Sequence, residues 1–398
     1  MIKSYRQAFN AQFTQKKYEN IVIEITQKYN HVPGFKIAET PVFIPKSLKN
    51  KLIEACEDIM AVIEKPNFKE LTEGAFIDPT LIVPNEDEAS RFVQLDFGVY
   101  LDENGEPSPK LIELQGFPTL YFYQELLGSM YSKHYDIPQG FSQHLNGLKS
   151  EEFVELLRAE IVGTTNPKNV VLLDIEPEKQ ATAIDFYCTV DKLGIKMLCI
   201  SKVKKEGRKL YYVDEAGQHV PILKIYNRVI FDELSQRDDL KCEFKLTDDV
   251  DVEWVGHPNW FFRISKYTMP LLKGKYVSKS FYLDKLDELP EDLENYVLKP
   301  LYSFAGSGVQ INVTKEMIKS LPDPSNYILQ EKVKYHRIVE TLDEPAICEI
   351  RMILLRNSET KKTRIVSNLM RLSKGEMIGV KYNKDKTWIG GSLGYFED

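Results

Sequence analysis

Hydrophobic residues in the N-terminal third follow helical spacing in some stretches and strand spacing in others. A helix is predicted in "KSLKNKLIEACEDIMAVIEK", where seven apolar residues from Leu48 to Ile63 share one helical face. Two strands joined by a loop containing Asn-Gly are predicted in "RFVQLDFGVYLDENG" and "PKLIELQG". Another helix, N-capped by Ser150, is predicted in "SEEFVELLRAEIVG".

The middle of the chain has the pattern of a parallel sheet. A continuous β-branched run, typical of a buried parallel strand, occurs in "NVVLLDI". A helix closed by Gly194 and the strand "IKMLCIS" follow, so this βαβ unit predicts a Rossmann-like sheet. No Gly-x-Gly-x-x-Gly opens the helix, so a dinucleotide site has no support. A hairpin leading into a further strand is predicted in "KLYYVDEAGQHVPILKIYNRVIFDEL".

The last third, from about Asn259, again mixes both spacings. It begins with a predicted helix in "FFRISKYTMPLL" and continues as strand, Gly/Ser loop and strand in "NYVLKPLYSFAGSGVQINV". Two more strands are predicted in "SNYILQEKV" and "AICEIRMILLRN". Because strands and helices alternate throughout, the fold class is predicted as α/β or α+β.

Composition narrows the function classes. A chain of 398 residues predicts two or three domains, and a net charge of -7 gives no electrostatic case for nucleic acid or membrane partners. Five scattered cysteines indicate a reduced compartment, and six histidines without ligand spacing give no transition-metal site. The N-terminus lacks the apolar segment of a signal peptide, and no apolar run approaches a membrane span. We therefore expect a cytoplasmic protein.

A lysine followed by a glycine loop is the first candidate for chemistry. Lys299 lies at the end of an apolar strand in "VLKPLYSFAGSGV", where burial without an anionic partner is costly. The backbone N–H groups of the loop that follows can approach phosphate oxygens closely. The loop residues that matter here are Ser303, Gly306, Ser307 and Gly308. The pattern is not that of a P-loop, and the stretch alone fits a flexible hairpin equally well.

Three further positions carry polar groups within apolar strands. Glu113 and Gln115 lie two apart in "LIELQGFPTLYFYQELLG", so on a strand both point from the same face. The strand end in "ILQEKV" offers backbone groups that could read an adenine edge. Arg351 lies within "EIRMILL", where pairing with Glu349 on a half-exposed strand is the simpler interpretation.

The order of these segments resembles the nucleotide-binding half of ATP-grasp enzymes. The matching features are the strand with Lys-Pro, the glycine loop, the "Q-E-x-V" strand and the arginine strand. The resemblance implies that Lys266 and Lys299 hold the ATP phosphates together with the loop, and that Arg351 faces them. It implies an adenine pocket at Gln330, Glu331 and Val333.

The metal motif of that family is usually C-terminal to the arginine strand, and the tail contains no match. Glu113 and Gln115 in "PKLIELQGFPTLYFYQ" instead resemble the early motif of circularly permuted ATP-grasp proteins of the glutathionylspermidine synthase type. The resemblance covers the synthetase domain only, over roughly residues 90 to 390. It implies a Mg²⁺ site at Asp96, Glu113 and Gln115, whose hard oxygen donors suit that ion.

The resemblance also implies three parts. These are residues 1–165 (helical region plus metal-binding part), residues 166–258 (Rossmann-like pre-ATP-grasp domain) and residues 259–398 (nucleotide-binding part). Two departures stand out, because Gln115 replaces the usual Asn and Gln94 replaces an arginine that contacts the phosphoryl acceptor. A catalytic cation is therefore expected elsewhere. Its candidates, beside Arg351, are Arg228, Arg371 and Lys381.

The function implied by the resemblance is an ATP- and Mg²⁺-dependent ligase. Such an enzyme activates a small-molecule or peptide-like carboxylate as an acyl phosphate and joins it to an amine or thiol. Two alternatives stay open, an ATP-grasp kinase and a non-catalytic ATP-binding protein of the same fold. The Gln94 and Gln115 departures are the reason to keep the second.

Overall fold

The computed structural model describes residues 2–302, 308–375, 383 and 385–398. The helices in these residues are α1 (Lys3–Gln12), α2 (Gln15–Tyr29), α3 (Lys46–Ile63), α4 (Phe68–Leu71), α5 (Tyr121–His134), α6 (Ser150–Ile161), α7 (Ala183–Leu193), α8 (Phe231–Leu234), α9 (Trp260–Arg263) and α10 (Lys315–Lys319). The strands are β1 (Val42–Ile44), β2 (Phe92–Leu101), β3 (Pro107–Gln115), β4 (Phe141–Ser142), β5 (Val170–Asp174), β6 (Lys196–Cys199), β7 (Lys204–Glu206), β8 (Lys209–Val213), β9 (His219–Ile222), β10 (Lys224–Asn227), β11 (Glu253–Val255), β12 (Ser280–Tyr282), β13 (Tyr296–Pro300), β14 (Tyr327–Glu331), β15 (Ile347–Arg356), β16 (Thr363–Ser373), β17 (Gly390–Ser392) and β18 (Gly394–Glu397). The mixed α/β class is confirmed.

A five-stranded sheet in the order β17-β16-β15-β2-β3 forms the largest layer, and all its pairings are antiparallel. Apolar residues such as Leu95, Phe97 and Leu114 point from one face into a core shared with α3. The register of β2 against β3 shifts after Asp96, so Ile112 is an extra residue in β3. The opposite face of this sheet carries the polar residues described below.

A four-stranded parallel sheet in the order β11-β10-β5-β6 lies in the middle of the chain. Strand β5, helix α7 and strand β6 form the predicted βαβ unit, and Gly194 ends α7 with φ of 71°. The predicted hairpin is β8 and β9, followed by β10. The wider Rossmann-like assignment and the three domain boundaries stay predictions.

A small three-stranded sheet in the order β12-β14-β13 has its own core. The residues of that core are Leu283, Leu293, Leu298, Val313, Ile318 and Leu329. Near the end of the chain, β18 pairs in parallel with β1. Among the described helices none is long and apolar enough to cross a membrane.

Three local predictions were wrong. Helix α6 begins at Ser150 itself, and its N-cap is Lys149, whose N–H donates to the Glu152 carboxylate at 3.0 Å. The helix expected after Asn259 is broken into α9 and a 3-10 helix at Lys266–Leu271, because the Ser265 hydroxyl caps a new start. The strand expected after the glycine loop is only an isolated bridge between Leu298 and Gln310.

Candidate active site

One face of the five-stranded sheet concentrates polar side chains, and we call it the charged face. Residues paired directly across an antiparallel ladder point to the same side. Asp96 on β2 lies opposite both Glu113 on β3 and Arg351 on β15. The charged face consists of Gln94, Asp96, Glu113, Gln115, Glu349, Arg351 and Arg371. Period-two alternation thus aligns four strands' polar residues into one surface.

Asp96 is the buried centre of the charged face. The Arg351 guanidinium donates to both of its carboxylate oxygens, at 2.6 and 2.7 Å, and Arg371 donates to Oδ2 at 2.5 Å. Burial favours the neutral acid, but the two guanidinium groups outweigh it and hold the pKa of Asp96 below its usual range. Asp96 is therefore an anion that fixes two arginines.

The second carboxylate beside the arginines is Glu349. Arg371, not Arg351, pairs with it at 3.1 Å, which corrects the pairing suggested by the isolated arginine strand. The Tyr335 hydroxyl donates to its other oxygen at 2.5 Å. Burial raises the pKa of Glu349, although Arg371 opposes the shift. Arg371 thus bridges two buried carboxylates.

Two lysines from distant segments converge on β3 next to the charged face. Lys299, near the end of β13, donates to the carbonyl oxygen of Ile112, the bulged residue, at 2.8 Å. Lys266, which opens the 3-10 helix, lies 3.4 Å from a carboxylate oxygen of Glu113. Burial lowers the pKa of Lys299, and the Glu113 carboxylate opposes that shift. The predicted lysine pair is therefore brought together.

The donors on β3 suit magnesium better than Asp96 does. Glu113 keeps 29% of its side chain exposed and shares the charged face with Gln115. Mg²⁺ takes one or two carboxylates and completes its shell with phosphate and water. Both oxygens of Asp96 are engaged by arginines, so the arrangement does not offer them to a cation. Across the described ranges, no three His, Cys, Asp or Glu side chains cluster as a metal site.

The predicted adenine segment lies at the end of β14. Gln330 is buried, and neither polar atom of its side chain has a hydrogen-bond partner within the described residues. The N–H of Glu331 donates to the Lys279 carbonyl at 2.8 Å. Val333 contacts the position where a Cβ on Gly98 would lie, so it packs against β2. Because a buried amide without a hydrogen-bond partner is unfavourable, the Gln330 side chain is the group in this segment that a polar ligand would satisfy.

Arg228 lies beside the charged face. Its guanidinium pairs with Asp185 at 3.0 Å and contacts the Thr119 carbonyl oxygen at 3.4 Å. The hydroxyl of the same Thr119 accepts from Arg351 at 3.2 Å. Thr119, which follows Gly116, Phe117 and Pro118 after the end of β3, therefore joins two of the predicted catalytic arginines.

Several predicted residues lie outside the described residues, namely Ser303, Gly306, Ser307 and Lys381. Gly308 is described, with φ of 73°, and a Cβ there would lie 2.8 Å from Pro300. This position therefore requires glycine. Gln94, the other departure from the family pattern, is buried and donates to the Tyr121 hydroxyl at 3.1 Å.

Sequence reasoning missed the partners of the arginines. Asp185 accepts a hydrogen bond from Arg228, and it also accepts from the N–H groups of Phe122 and Tyr123 in the first turn of α5, at 3.0 and 2.9 Å. A lone carboxylate within the apolar run "AIDFYC" was the available signal. For Thr119 the sequence held no comparable signal.

Comparisons with known proteins give a fold and no family. No family model and no curated protein matches the chain. A glutathione synthetase-like effector from Globodera pallida, solved in apoform, is similar with a TM-score of 0.58 and 13% identity over 96% of both chains. A putative γ-glutamylcysteine synthetase from Methylobacillus flagellatus KT gives a TM-score of 0.40 and 10% identity over 86% of both chains. The first likeness shows that the chain shares the fold of a synthetase-like protein.

Proposed function

We propose that the protein is an ATP- and Mg²⁺-dependent ligase of the circularly permuted ATP-grasp type. It joins a small-molecule or peptide-like carboxylate to an amine or thiol. The observation that carries this proposal is the convergence of Lys299 and Lys266 on β3, next to Glu113. The shared fold with a glutathione synthetase-like protein supports it.

In this proposal each part of the site has a separate task. Lys299 and Lys266 bind phosphate oxygens of ATP, because an ammonium group is a compact charge with three donors. The end of β14, with the unsatisfied amide of Gln330, receives adenine. Arg351 and Arg371, held by Asp96, stabilise charge on the transferring phosphoryl group and on the substrate carboxylate.

The chemistry needs no covalent nucleophile from the protein. A carboxylate oxygen of the substrate attacks the γ-phosphorus, the bond to the β,γ-bridging oxygen breaks, and ADP leaves. The amine or thiol then attacks the acyl carbon, the carbon–oxygen bond to phosphate breaks, and the nucleophile loses its proton. The chain's groups position the reactants and stabilise charge. A Mg²⁺ ion at Glu113 and Gln115 would neutralise charge on the phosphates.

A non-catalytic ATP-binding protein is the second candidate. Both oxygens of Asp96 accept from arginines, so Glu113 on β3 is the carboxylate left to bind a cation. A metal site with one carboxylate fewer than predicted favours this candidate. Product analysis separates the possibilities. A ligase releases phosphate only when a nucleophile is present, a kinase keeps the phosphoryl group on its substrate, and a binding protein yields neither product.

The test replaces Lys299 by alanine and measures Mg-ATP binding by calorimetry. Loss of a charge-assisted contact to phosphate is worth about 1.5–3 kcal/mol, so the Kd is expected to rise about 10- to 100-fold. Lys319→Ala is the matched control, since Lys319 is exposed at the end of α10 and close to the same small sheet. Wild-type affinity in a folded Lys299→Ala variant would contradict the proposal.

A further inference from the structure

A cavity of about 350 Å³ lies beyond the tip of the small sheet, away from the predicted adenine segment. Pro300 and Tyr327, which pair across β13 and β14, form one side. Asp232 on α8 and the segment from Ile77 to Leu81 also line the cavity. The volume falls within the range of small-molecule pockets, about 300–1,000 Å³.

The walls of this cavity are largely apolar and firmly placed. The Phe262 and Tyr302 rings meet edge to face, with centroids 5.3 Å apart. The Tyr302 hydroxyl donates to the Ala75 carbonyl, which ties this wall to the N-terminal segment. Ile77 lines the cavity while 47% exposed, so part of its apolar side chain is open to a ligand.

The charge of the cavity is negative. Its carboxylates are Asp78 and Asp232, and no lysine or arginine occurs among the described residues that line it. Asp78 accepts from the N–H and hydroxyl of Thr80, at 2.9 and 2.6 Å, and these bonds lower its pKa. Asp232 is half-buried, and its carboxylate forms no hydrogen bond or close ion pair within the described part of the chain, although the Lys266 ammonium acts on it electrostatically. Such a carboxylate favours a cationic ligand.

The cavity adjoins the site of the proposed reaction. The Lys266 ammonium lies near enough to Asp232 to oppose the burial that raises the pKa of that carboxyl. The same ammonium lies 3.4 Å from Glu113 on the charged face. Lys266 would therefore lie between a molecule bound at Asp232 and the proposed metal and phosphate region.

We propose that this cavity binds the nucleophile of the ligase, and that the nucleophile is a primary amine with an apolar body. The assignment rests on the proposed function. Asp232 and Asp78 attract the ammonium group, and Ile77, Phe262 and Tyr302 contact the apolar part. The acid substrate is excluded here, because two carboxylates repel it.

The test compares three probes that share a phenethyl body and carry a cationic, neutral or anionic head group: 2-phenylethylamine, 2-phenylethanol and 3-phenylpropionate. Each is titrated into the full chain by ligand-observed NMR, with Mg-ATP titrated separately. We expect the amine to bind at least tenfold more tightly than either other probe, and Asp232→Asn to abolish that preference. Equal binding of the three probes, or an unchanged preference in a folded Asp232→Asn variant, overturns the assignment.

A second variant keeps the test decisive if Asp232→Asn does not fold. Ile77→Trp fills the cavity from an exposed position and is expected to weaken amine binding at least tenfold. Ile82→Trp is its control, because Ile82 is 39% exposed on the same segment and is not among the described lining residues. Equal amine binding in the two variants overturns the assignment. ATP binding without amine preference refutes the cavity alone, whereas amine preference without ATP binding refutes the ligase.

Discussion

Two buried aspartates, each paired with arginine, behave differently in this molecule. On the charged face, two guanidinium groups keep the pKa of Asp96 low despite its burial. At the carboxyl edge of the parallel sheet, burial raises the pKa of Asp185, although Arg228 and two backbone N–H groups oppose it. The comparison shows that burial outweighs one arginine in setting the direction of a carboxyl pKa shift, whereas two arginines outweigh burial.

The two regions also differ in how their arginines are held in place. The charged face needs arginines in fixed positions, and Asp96 supplies the permanent negative charge that holds Arg351 and Arg371. At the carboxyl edge of the parallel sheet, the guanidinium carbon of Arg228 lies 4.8 Å from the ring centroid of Phe186 and 5.6 Å from that of Phe117. Arg228 thus depends less on its carboxylate than Arg351 does.

The largest expected effect comes from Asp96→Asn. This change leaves two buried or half-buried guanidinium groups without their shared counter-ion, so the free energy of unfolding should fall by about 3–5 kcal/mol. Urea unfolding measures the loss. Asp251→Asn is the control, because it removes an exposed pair with Arg208 at 2.7 Å and should cost at most about 1 kcal/mol. Equal losses in the two variants would contradict the central role of Asp96.

Period-two alternation made predictable the part of the charged face that β2 and β3 contribute. It places Glu113 and Gln115 on one side of β3, and the loop between the two strands brings Asp96 opposite Glu113. The partner of Asp96 was not predictable, because Arg351 lies 255 positions away and its register is set by pairing along β2 and β15. The bulge at Ile112 presents its carbonyl oxygen to Lys299. Because no glycine or proline marks this position, the bulge was not predictable from the sequence.

In the parallel sheet, the helix and strands were predictable from the sequence, but the contacts of the charged residues were not. The βαβ unit followed from β-branched runs and the closing Gly194. The contacts of Asp185 join a helix of that unit to α5, so they depend on how two layers pack and not on local pattern. The cavity at Asp232 depends on five separate segments of the chain meeting, which no single stretch of sequence encodes.

Asp185→Asn is expected to have the second-largest effect. Asparagine can still accept from the N–H groups of Phe122 and Tyr123, but Arg228 loses its ion pair while keeping its aromatic neighbours. We expect a loss of about 2–3 kcal/mol in urea unfolding, less than for Asp96→Asn. If Asp185→Asn lost as much stability as Asp96→Asn or more, the number of arginines paired with each aspartate would not determine the cost of replacing it.

The smallest expected effect concerns Asp174, at the carboxyl end of β5, and it is a change in how stability depends on pH. Burial raises its pKa to about 7, opposed by the nearby Arg228. The native state therefore binds this proton more tightly than the unfolded chain, so stability decreases as pH rises from the ordinary aspartate pKa through 7. Asp174→Asn removes that decrease, so its free energy of unfolding should rise by about 2–2.5 kcal/mol relative to that of the wild type between pH 5 and pH 7.5, as measured by urea unfolding at both values.

Glu233 also faces the Asp174 carboxyl and raises its pKa, so Glu233→Gln in the wild-type background should move the transition to lower pH. A stability difference between Asp174→Asn and wild type that is the same at both pH values would mean that Asp174 is already ionised in the native protein, as Asp96 is.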